Sequence, residues 1–152
     1  MEQELKKKRI SDAEWEVMRV IWTKETSDAR EIYDLLNGAM DWKMATVKTL
    51  LGRLVQKEAL ATEQIGKKFV YRPLVTEEEI TQAAFADTLT RICATQRGRA
   101  IGDLIATVAL TTEDIQCLIN QLATKKPQHI QCTCLPGQCR CHHHLLKGSE
   151  ER

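Results

Sequence analysis

The chain has 152 residues and a formal net charge of +1, with an apolar fraction of 43% and a charged fraction of 28%. These values are typical of a soluble protein with one or two small domains, and no apolar run is long enough to cross a bilayer. The charged segment Met1–Arg9 has no apolar signal core, so we expect a cytoplasmic protein in a compartment where stable disulfides are rare. A charge so close to zero neither demands nor excludes a nucleic-acid partner.

Two amphipathic helices are predicted at the start of the chain. The segment Ser11–Glu14 has the pattern of a capping box, and the apolar residues after it recur at helical spacing, which predicts a helix over about 11–23. Ser27 or Asp28 is expected to cap a second helix, which Asn37-Gly38 is expected to end. The predicted inner face of this second helix consists of Ile32, Leu35 and Leu36.

A third helix and a β-hairpin are predicted next. The helix runs from about Ala45 to Glu58, and strand-like stretches follow at Ala59–Gln64 and Phe69–Leu74. Gly66-Lys67-Lys68 lies between these stretches and favours a hairpin turn. Three helices followed by a hairpin is the order of a winged helix-turn-helix domain, a fold that places one helix in the major groove of DNA.

The sequence pattern of the second half of the chain predicts helices and no strands. Thr76–Glu79 is expected to cap a long helix that reaches about Ala94, and shorter helices are expected at about 99–109 and 112–122. Pro127 ends the helical region, and a short polar tail rich in cysteine follows it.

The predicted fold class is therefore mainly α, with three regions. Residues 1–75 form an N-terminal winged helix-turn-helix domain of three helices plus a β-hairpin wing, residues 76–126 form a C-terminal helical dimerisation domain, and residues 127–152 form a short cysteine-rich tail.

The helices of the second region have too little chain to enclose a core of their own, so we expect their apolar side chains to pair with a second copy. The alternative is that they pack back onto the winged helix. The homodimer is favoured, because DNA-binding proteins of this class contact two half-sites. The residues expected at the subunit interface are Ile80, Ala84, Leu89, Ile92, Ile101, Leu104, Ile105, Ile115, Leu118, Ile119 and Leu122.

One face of the third helix has the chemistry of a DNA-reading surface. The apolar positions expected in the core are Val47, Leu50, Leu51 and Leu54. Thr46, Thr49 and Arg53 share the opposite face, where arginine can donate two hydrogen bonds to guanine and threonine can meet a base edge or a thymine methyl group. Phosphate contacts, which fix register without carrying sequence information, suit the lysines Lys43, Lys48, Lys67 and Lys68. The alternative is the solvated face of an ordinary amphipathic helix.

Four of the six cysteines fall in the tail, in the pattern C-x-C-x4-C-x-C. They are Cys132, Cys134, Cys139 and Cys141. Residues two apart in an extended stretch project to the same side, so each C-x-C pair presents two sulfurs together. Pro136-Gly137 fits the centre of a type II turn, which would bring the two pairs toward one point. These four cysteines are the predicted metal ligands.

Thiolates are ligands of soft metal ions, and two ions are considered for this cluster. Zn(II) accepts four thiolates as a tetrahedron, and Cu(I) prefers thiolate ligands strongly. Disulfides or unrelated thiols are the alternative, which a reducing compartment disfavours. His142-His143-His144 is a candidate for a spare ligand, whereas Cys93 and Cys117 lie on predicted helices and are expected to be buried apolar-type residues.

Several segments of the chain resemble the BlaI/MecI/CopY repressor family. They are Ser11–Met18 with Trp22 after it, Trp42–Leu60 and Phe69–Pro73. The resemblance implies a winged helix, a helical dimerisation domain and a palindromic operator of double-stranded DNA. By matching, it puts Thr46, Thr49 and Arg53 at the base-reading positions. One departure is Glu58, where relatives often carry glycine, and this difference affects how the helix ends.

The tail pattern C-x-C-x4-C-x-C resembles that of the CopY branch of the family. This resemblance implies a copper-responsive transcriptional repressor whose Zn(II) form binds the operator and whose Cu(I) form releases it. It further implies that the regulated genes serve copper export and homeostasis, and it makes a copper chaperone a candidate donor of Cu(I).

Other functions are open to test. A β-lactam-type repressor would be relieved by proteolysis at an Asn-Phe bond, but Asn37 precedes Gly38 and Asn120 precedes Gln121. A sensor of Zn(II) or Cd(II) would use the same thiols, and a copper chaperone or storage module would show no salt-dependent DNA binding. An enzyme is not expected, because no phosphate loop, nucleophile motif or carboxylate pair stands out and a four-cysteine site leaves no open coordination position.

Overall fold

The computed structural model describes residues 9–141, which divide into two compact units, one up to Asp87 and one from Thr88 onward. The first unit contains α1 (Asp12–Lys24), β1 (Ser27–Asp28), α2 (Ala29–Met40), α3 (Met44–Gln56), β2 (Leu60–Ile65) and β3 (Lys68–Pro73). The chain continues through α4 (Glu77–Thr90), a 3-10 helix (Ala94–Gln96), α5 (Arg97–Thr107) and α6 (Thr112–Thr124). The fold is mainly helical with a winged helix at its start, as predicted, whereas the three-region division of the sequence stays a prediction. No helix among residues 9–141 is long and apolar enough to span a membrane.

Reciprocal side-chain caps fix the starts of α1 and α2. The Oγ of Ser11 accepts from the backbone N–H of Glu14 at 3.2 Å, and the Ser11 N–H donates to the Glu14 carboxylate at 2.9 Å. Asp28 and Glu31 form the same pair at 2.9 and 3.2 Å. Each box satisfies two N–H groups that a helix start would otherwise leave unpaired. Both predicted helix starts are confirmed, and Asp28 rather than Ser27 is the second cap.

One apolar core joins the three helices to the base of the hairpin. Its buried members are Val17, Met18, Ile21, Ile32, Val47, Leu50, Leu51, Leu54, Ala59 and Leu60. The four that come from α3 are the ones predicted from helical spacing. The indole N–H of Trp22 donates to the carbonyl of Val75 at 2.9 Å, which ties α1 to the chain after the hairpin. The buried carboxylate of Glu14 is paired with the Nζ of Lys57 at 2.5 Å, so its charge is compensated.

Helix α2 does not end at Asn37-Gly38, and this prediction is wrong. The helix continues to Met40 and ends at Asp41, which has φ of 50° and whose N–H donates to the Asn37 carbonyl at 3.1 Å. A glycine inside a helix costs only about 1 kcal/mol, so it does not stop a helix that finds a cap further on. The prediction for Leu35 is also wrong, because its side chain is 56% exposed.

The wing belongs to a three-stranded antiparallel sheet with the order β1-β3-β2. Strands β2 and β3 pair from Leu60–Pro73 to Ile65–Lys68, and Gly66 takes a φ of 64° in the turn between them. The two residues of β1 pair with Tyr71 and Val70. Strand β1 was not predicted, since two residues are too short to show an alternating pattern. It fixes the start of α2 against the wing.

Glu58, the departure noted in the sequence, adopts a φ of 59° just after α3. An L-residue in the left-handed region costs about 1–2 kcal/mol, and glycine avoids this cost at some expense in backbone entropy. We therefore expect Glu58→Gly to raise the free energy of unfolding by about 1 kcal/mol in urea denaturation. Glu58→Ala is the matched control, because it removes the same side chain and keeps the Cβ. Equal stability of the two variants would contradict this explanation.

The helices after the wing have boundaries that differ from those predicted. Helix α4 ends at Thr90 instead of near Ala94, because the β-branched residues in its last turns are weak helix formers and the chain extends at Cys93. A capping box of Thr111 and Asp114 starts α6. Several residues expected at a subunit interface have exposed side chains; they include Ile101, Leu104, Ile105, Ile115, Ile119 and Leu122. Ile80 is 1% exposed in the single chain, so its assignment to an interface is wrong.

Candidate nucleic-acid interface and metal centre

The solvent-facing side of α3 carries the residues predicted to read DNA. Thr46, Thr49 and Arg53 are all exposed, whereas the four residues of the same helix that were predicted to lie in the core are buried. The hydroxyl of Thr49 donates to the carbonyl of Ala45 at 2.9 Å. This bond uses the Thr49 proton within the helix, so Thr49 offers an outside partner its methyl group and its oxygen lone pairs.

The start of α3 differs from the starts of α1 and α2. Lys43 occupies the N-cap position, makes no side-chain cap hydrogen bond, and no acidic residue lies in the first turn. A lysine at the positive end of a helix is electrostatically unfavourable unless an anion is present. This end of the helix therefore suits a phosphate group.

The wing places further lysines beside α3. Lys67 lies in the hairpin turn as predicted, whereas Lys68, also expected in the turn, is the first residue of β3. The Nζ of Lys68 lies 3.3 Å from the Asp28 carboxylate. The backbone N–H of Glu31 and the charge of Lys68 lower the pKa of Asp28, so this carboxylate stays charged and holds the wing near α2.

A surface depression of about 440 Å³ connects these elements. Its charged lining includes Arg30 of α2, Lys48 of α3 and both wing lysines, Lys67 and Lys68. The exposed ring of Phe69 also lines it. The structure thus brings the predicted phosphate-contacting residues of α3 and the wing to one surface, while their contacts with DNA stay a prediction.

The second unit gathers cysteine sulfurs around one point. The Sγ of Cys132 lies 3.4 Å from that of Cys139 and 3.4 Å from that of Cys93. The Sγ of Cys141 lies 3.5 Å from that of Cys93 and 3.2 Å from the hydroxyl of Thr95. All six cysteines of the chain are free thiols.

A tight turn brings the two C-x-C pairs together, as predicted. The N–H of Gln138 donates to the carbonyl of Leu135 at 3.0 Å, which leaves Pro136 and Gly137 at the two central positions. Gly137 has a φ of 89°, in the region that the third residue of a type II turn requires and that other residues rarely adopt.

Cys93 was missed by the sequence analysis. It was expected to be a buried apolar-type residue, but it lies at the junction between α4 and the 3-10 helix, half-buried, with its sulfur in the cluster. The sequence held no signal for this, because 39 residues separate Cys93 from Cys132. Cys117 was also expected to be buried and is instead exposed on α6.

The sulfur separations fit a single four-coordinate ion. The sulfurs that all lie within 4.8 Å of one another are those of Cys93, Cys132, Cys134 and Cys139. A tetrahedron with metal–sulfur bonds of about 2.3 Å has sulfur–sulfur edges of about 3.8 Å. The measured separations of 3.4 Å are close to this edge length. A donor set made only of thiols suits a soft ion such as Zn(II) or Cu(I).

The cluster thiols differ in how readily they ionise. Hydrogen bonds from the side chain and backbone of Thr95 lower the pKa of Cys93 to about 6. The backbone N–H of Cys134 favours the thiolate of Cys132, but burial and the neighbouring Cys93 outweigh it and raise the pKa of Cys132 to about 11. One thiolate therefore disfavours ionisation of the neighbouring thiols, and a cation is needed to hold several thiolates together. Binding of such a cation releases protons.

One of the four histidines, His129, lies among the described residues. His129 is exposed in the chain after α6. The candidate spare ligands His142, His143 and His144 lie outside the described residues.

A comparison with known families gives a match over most of the chain. Residues 10–124 match the family described as penicillinase repressor. The chain belongs to the penicillinase repressor family. The helices and hairpin with the residues predicted to read DNA all lie within the matched segment.

Individual proteins and solved structures are also similar to this chain. An uncharacterised 16.5 kDa protein from the ptsI 3′ region of Latilactobacillus sakei is 37% identical over 135 residues, which is 87% of this chain and 92% of that protein. The methicillin resistance regulatory protein MecI of Mammaliicoccus sciuri is 29% identical over 116 residues, 76% of this chain and 94% of MecI. Among solved structures, that of the CopR repressor is 55% identical, with a TM-score of 0.40, and covers 44% of this chain and 97% of CopR.

The penicillinase repressor family match does not include the tail. It ends at residue 124, so Cys132, Cys134, Cys139 and Cys141 lie beyond it, whereas Cys93 lies within it. Membership of the family therefore accounts for the winged helix and the helices after it, and the thiol cluster needs a separate explanation.

Proposed function

We propose that this penicillinase repressor family member is a dimeric, copper-responsive transcriptional repressor. In its Zn(II)-bound form it binds a palindromic operator, and Cu(I) displaces Zn(II) at the thiol cluster and releases the DNA. The observation that carries the proposal is the gathering of all-thiol ligands in a chain that also presents an exposed, basic reading helix. The protein then works in the cytosol, where thiols stay reduced and DNA is present.

Helix α3 and the wing would divide the contacts with DNA. Arg53 has the reach and geometry for the major-groove edge of guanine, and the Thr49 methyl group suits thymine. Lys43, at the uncapped start of α3, and the wing residue Lys67 suit the phosphates on either side. This division supports a repressor whose affinity depends strongly on salt and whose specificity depends on few residues.

The exposed apolar side chains of the second unit support a homodimer. Ile115, Ile119 and Leu122 lie on one side of α6 and are 47%, 53% and 63% exposed. The opposite side of α6 is polar and includes Gln116, whose amide donates to Asn120. An apolar stripe of this kind is buried when it meets a second copy, and a symmetric pair matches two half-sites of an operator.

A charge placed in this stripe is expected to separate the dimer. Ile119→Asp should raise the dimer dissociation constant by at least about 100-fold, because it buries a carboxylate in each copy of an apolar interface. Asn120→Asp is the matched control, since it adds the same charge on the polar side of the same helix. Sedimentation equilibrium measures both, and unchanged dimerisation of Ile119→Asp would show that α6 is not at the interface.

The thiol cluster would bind either Zn(II) or Cu(I), one in place of the other. Zn(II) takes four thiolates as a closed tetrahedron and has no redox chemistry, so it would serve as a structural ion. Cu(I) is softer and selects the same thiolates, whereas carboxylates and imidazoles would not favour it to the same degree. For a 100-fold loss of operator affinity, the Zn(II) and Cu(I) forms must differ by about 2.7 kcal/mol in their affinity for DNA.

The same donor set also suits Cd(II) or Zn(II) as the inducing ion, and this is the second candidate. It differs from the copper proposal only in the ion that releases the operator. No feature of residues 9–141 indicates a binding surface for a copper chaperone. The proposal therefore names Cu(I) itself as the inducer. Relief by proteolysis, the β-lactam alternative, leaves the gathered thiols without a role.

The test begins with DNA selected from a random pool, in parallel, by Zn(II)-loaded and by metal-free protein. We expect a palindrome whose half-sites are about one helical turn apart. The selected DNA, bound by the protein, is then titrated separately with Cu(I), Cd(II) and additional Zn(II) under anaerobic conditions. Release by Cu(I) alone supports the proposal, selection by metal-free protein with release by Cd(II) or Zn(II) supports the second candidate, and failure of both protein forms to select any DNA contradicts both.

A further inference from the structure

We propose that Cys93 is a metal ligand, so that one ion is held jointly by the helical region and the tail. The sequence pattern assigns the site to four tail cysteines alone. The structure instead gathers Cys93 with Cys132, Cys134 and Cys139, and it leaves Cys141 beside Cys93 and Thr95. This inference rests on the proposed function in that it assumes a metal at the cluster, and it names a residue which that function does not require.

The geometry around Cys93 favours ligation. Its sulfur lies 3.4 Å from that of Cys132, the same separation that joins Cys132 to Cys139 across the two C-x-C pairs. The set of four sulfurs within 4.8 Å of one another contains Cys93. Because four sulfurs complete a tetrahedral site, a fifth cysteine is left outside it, and the position of Cys141 marks it as that one.

The backbone of Cys93 is held in place by the junction that follows α4. The N–H of Gln96 donates to the Cys93 carbonyl at 2.8 Å, which closes the 3-10 turn. The guanidinium Nε of Arg97, the first residue of α5, donates to the carbonyls of Leu89 at 2.8 Å and Ile92 at 3.2 Å. These bonds cross the junction from the end of α4 to the start of α5. Cys93 is therefore a preorganised ligand.

Ligation by Cys93 gives the tail a fixed attachment point. An ion bound by Cys93 and three tail cysteines closes a loop between residue 93 and residue 132, and it fixes the tail to the start of α5. An ion bound by tail cysteines alone leaves the tail unattached to this junction. A change in the number or arrangement of sulfurs around the ion is thereby communicated to the helical unit and not confined to the tail.

Cobalt(II) titration of the full-length, reduced protein tests this assignment. Co(II) takes zinc sites, and its sulfur-to-metal charge-transfer absorbance grows with the number of bound thiolates. Because Cys141 lies beside Cys93 and is able to replace it, the decisive comparison is made in the Cys141→Ser background. There the tail supplies only three sulfurs, and four are present only if Cys93 is a ligand.

We expect Cys141→Ser to keep the full absorbance of the wild type, and Cys93→Ser added to Cys141→Ser to lower the absorbance per bound ion by about a quarter. Cys117→Ser in the same background is the matched control, because Cys117 is an exposed thiol of α6 outside the cluster, and it should change nothing. The inference is overturned if Cys141→Ser alone loses about a quarter of the absorbance and Cys93→Ser then has no further effect. Absence of any thiolate–cobalt absorbance in the wild type would overturn the proposed metal response as well.

Discussion

Cys139→Ser is expected to abolish the response of operator binding to Cu(I). Cys139 belongs both to the C-x-C-x4-C-x-C pattern and to the set of sulfurs gathered in the structure, and its sulfur lies 3.4 Å from that of Cys132. Serine has nearly the same size, but its neutral hydroxyl is a poor ligand for a soft ion. We expect the ratio of operator affinities without and with Cu(I) to fall from about 100 to about 1, a loss of about 2.7 kcal/mol of coupling.

The winged helix of this variant should be unaffected, because Cys139 belongs to the second unit and is not a member of the apolar core of the first. Operator binding by the metal-free variant should equal that of metal-free wild type in fluorescence anisotropy. Cys117→Ser, which changes a thiol outside the cluster, should keep the full Cu(I) response. A normal Cu(I) response in Cys139→Ser would show that the cluster is not the sensor.

Arg53→Ala is expected to have the largest effect on DNA recognition. The side chain is exposed on the predicted reading face of α3, opposite the buried Leu51. Loss of a bidentate contact with guanine costs about 1–3 kcal/mol for each half-site, so a dimer loses about 2–6 kcal/mol of operator binding. The loss should be confined to operators that carry the preferred base, because the variant no longer distinguishes it.

Two further variants separate base reading from charge. Arg53→Lys keeps the positive charge but not the planar pair of donors, so it should lose most of the specificity and little of the affinity for random DNA. Lys48→Ala should weaken binding to all DNA sequences alike and lower the salt dependence by about one counterion per half-site. If Arg53→Ala instead weakens operator and random DNA equally, Arg53 contacts phosphate and not a base.

Much of the fold could be predicted because its signals are local. The capping boxes at Ser11 and Asp28 and the helical spacing of the apolar residues in α3 depend only on neighbours in sequence. The end of α2 was missed, because a glycine is a weak stop and the true cap at Asp41 is not a glycine. Strand β1 was missed because its pairing with Tyr71 and Val70 is a long-range contact with no pattern of its own.

In the candidate sites, too, the features that depend on local sequence could be predicted and those that depend on long-range contacts could not. The reading face of α3 follows from helical geometry, and the structure leaves Thr46, Thr49 and Arg53 exposed on it. The tail turn follows from Pro136-Gly137, since these two residues restrict the backbone locally. The presence of Cys93 in the cluster did not follow from any spacing, because it depends on how the tail returns to the junction after α4.

The most direct test of the central claim measures the coupling between the cluster and the operator in both directions. Anisotropy titrations give operator affinity for Zn(II)-loaded and Cu(I)-loaded protein, and competition with a chelator gives the affinity of the Zn(II)-loaded protein for Cu(I), as the constant for exchange of the two ions, with and without operator. We expect Cu(I) to weaken operator binding by about 100-fold, and operator to weaken Cu(I) binding by the same factor, as linkage requires. Equal operator affinity for the two metal forms would contradict the account.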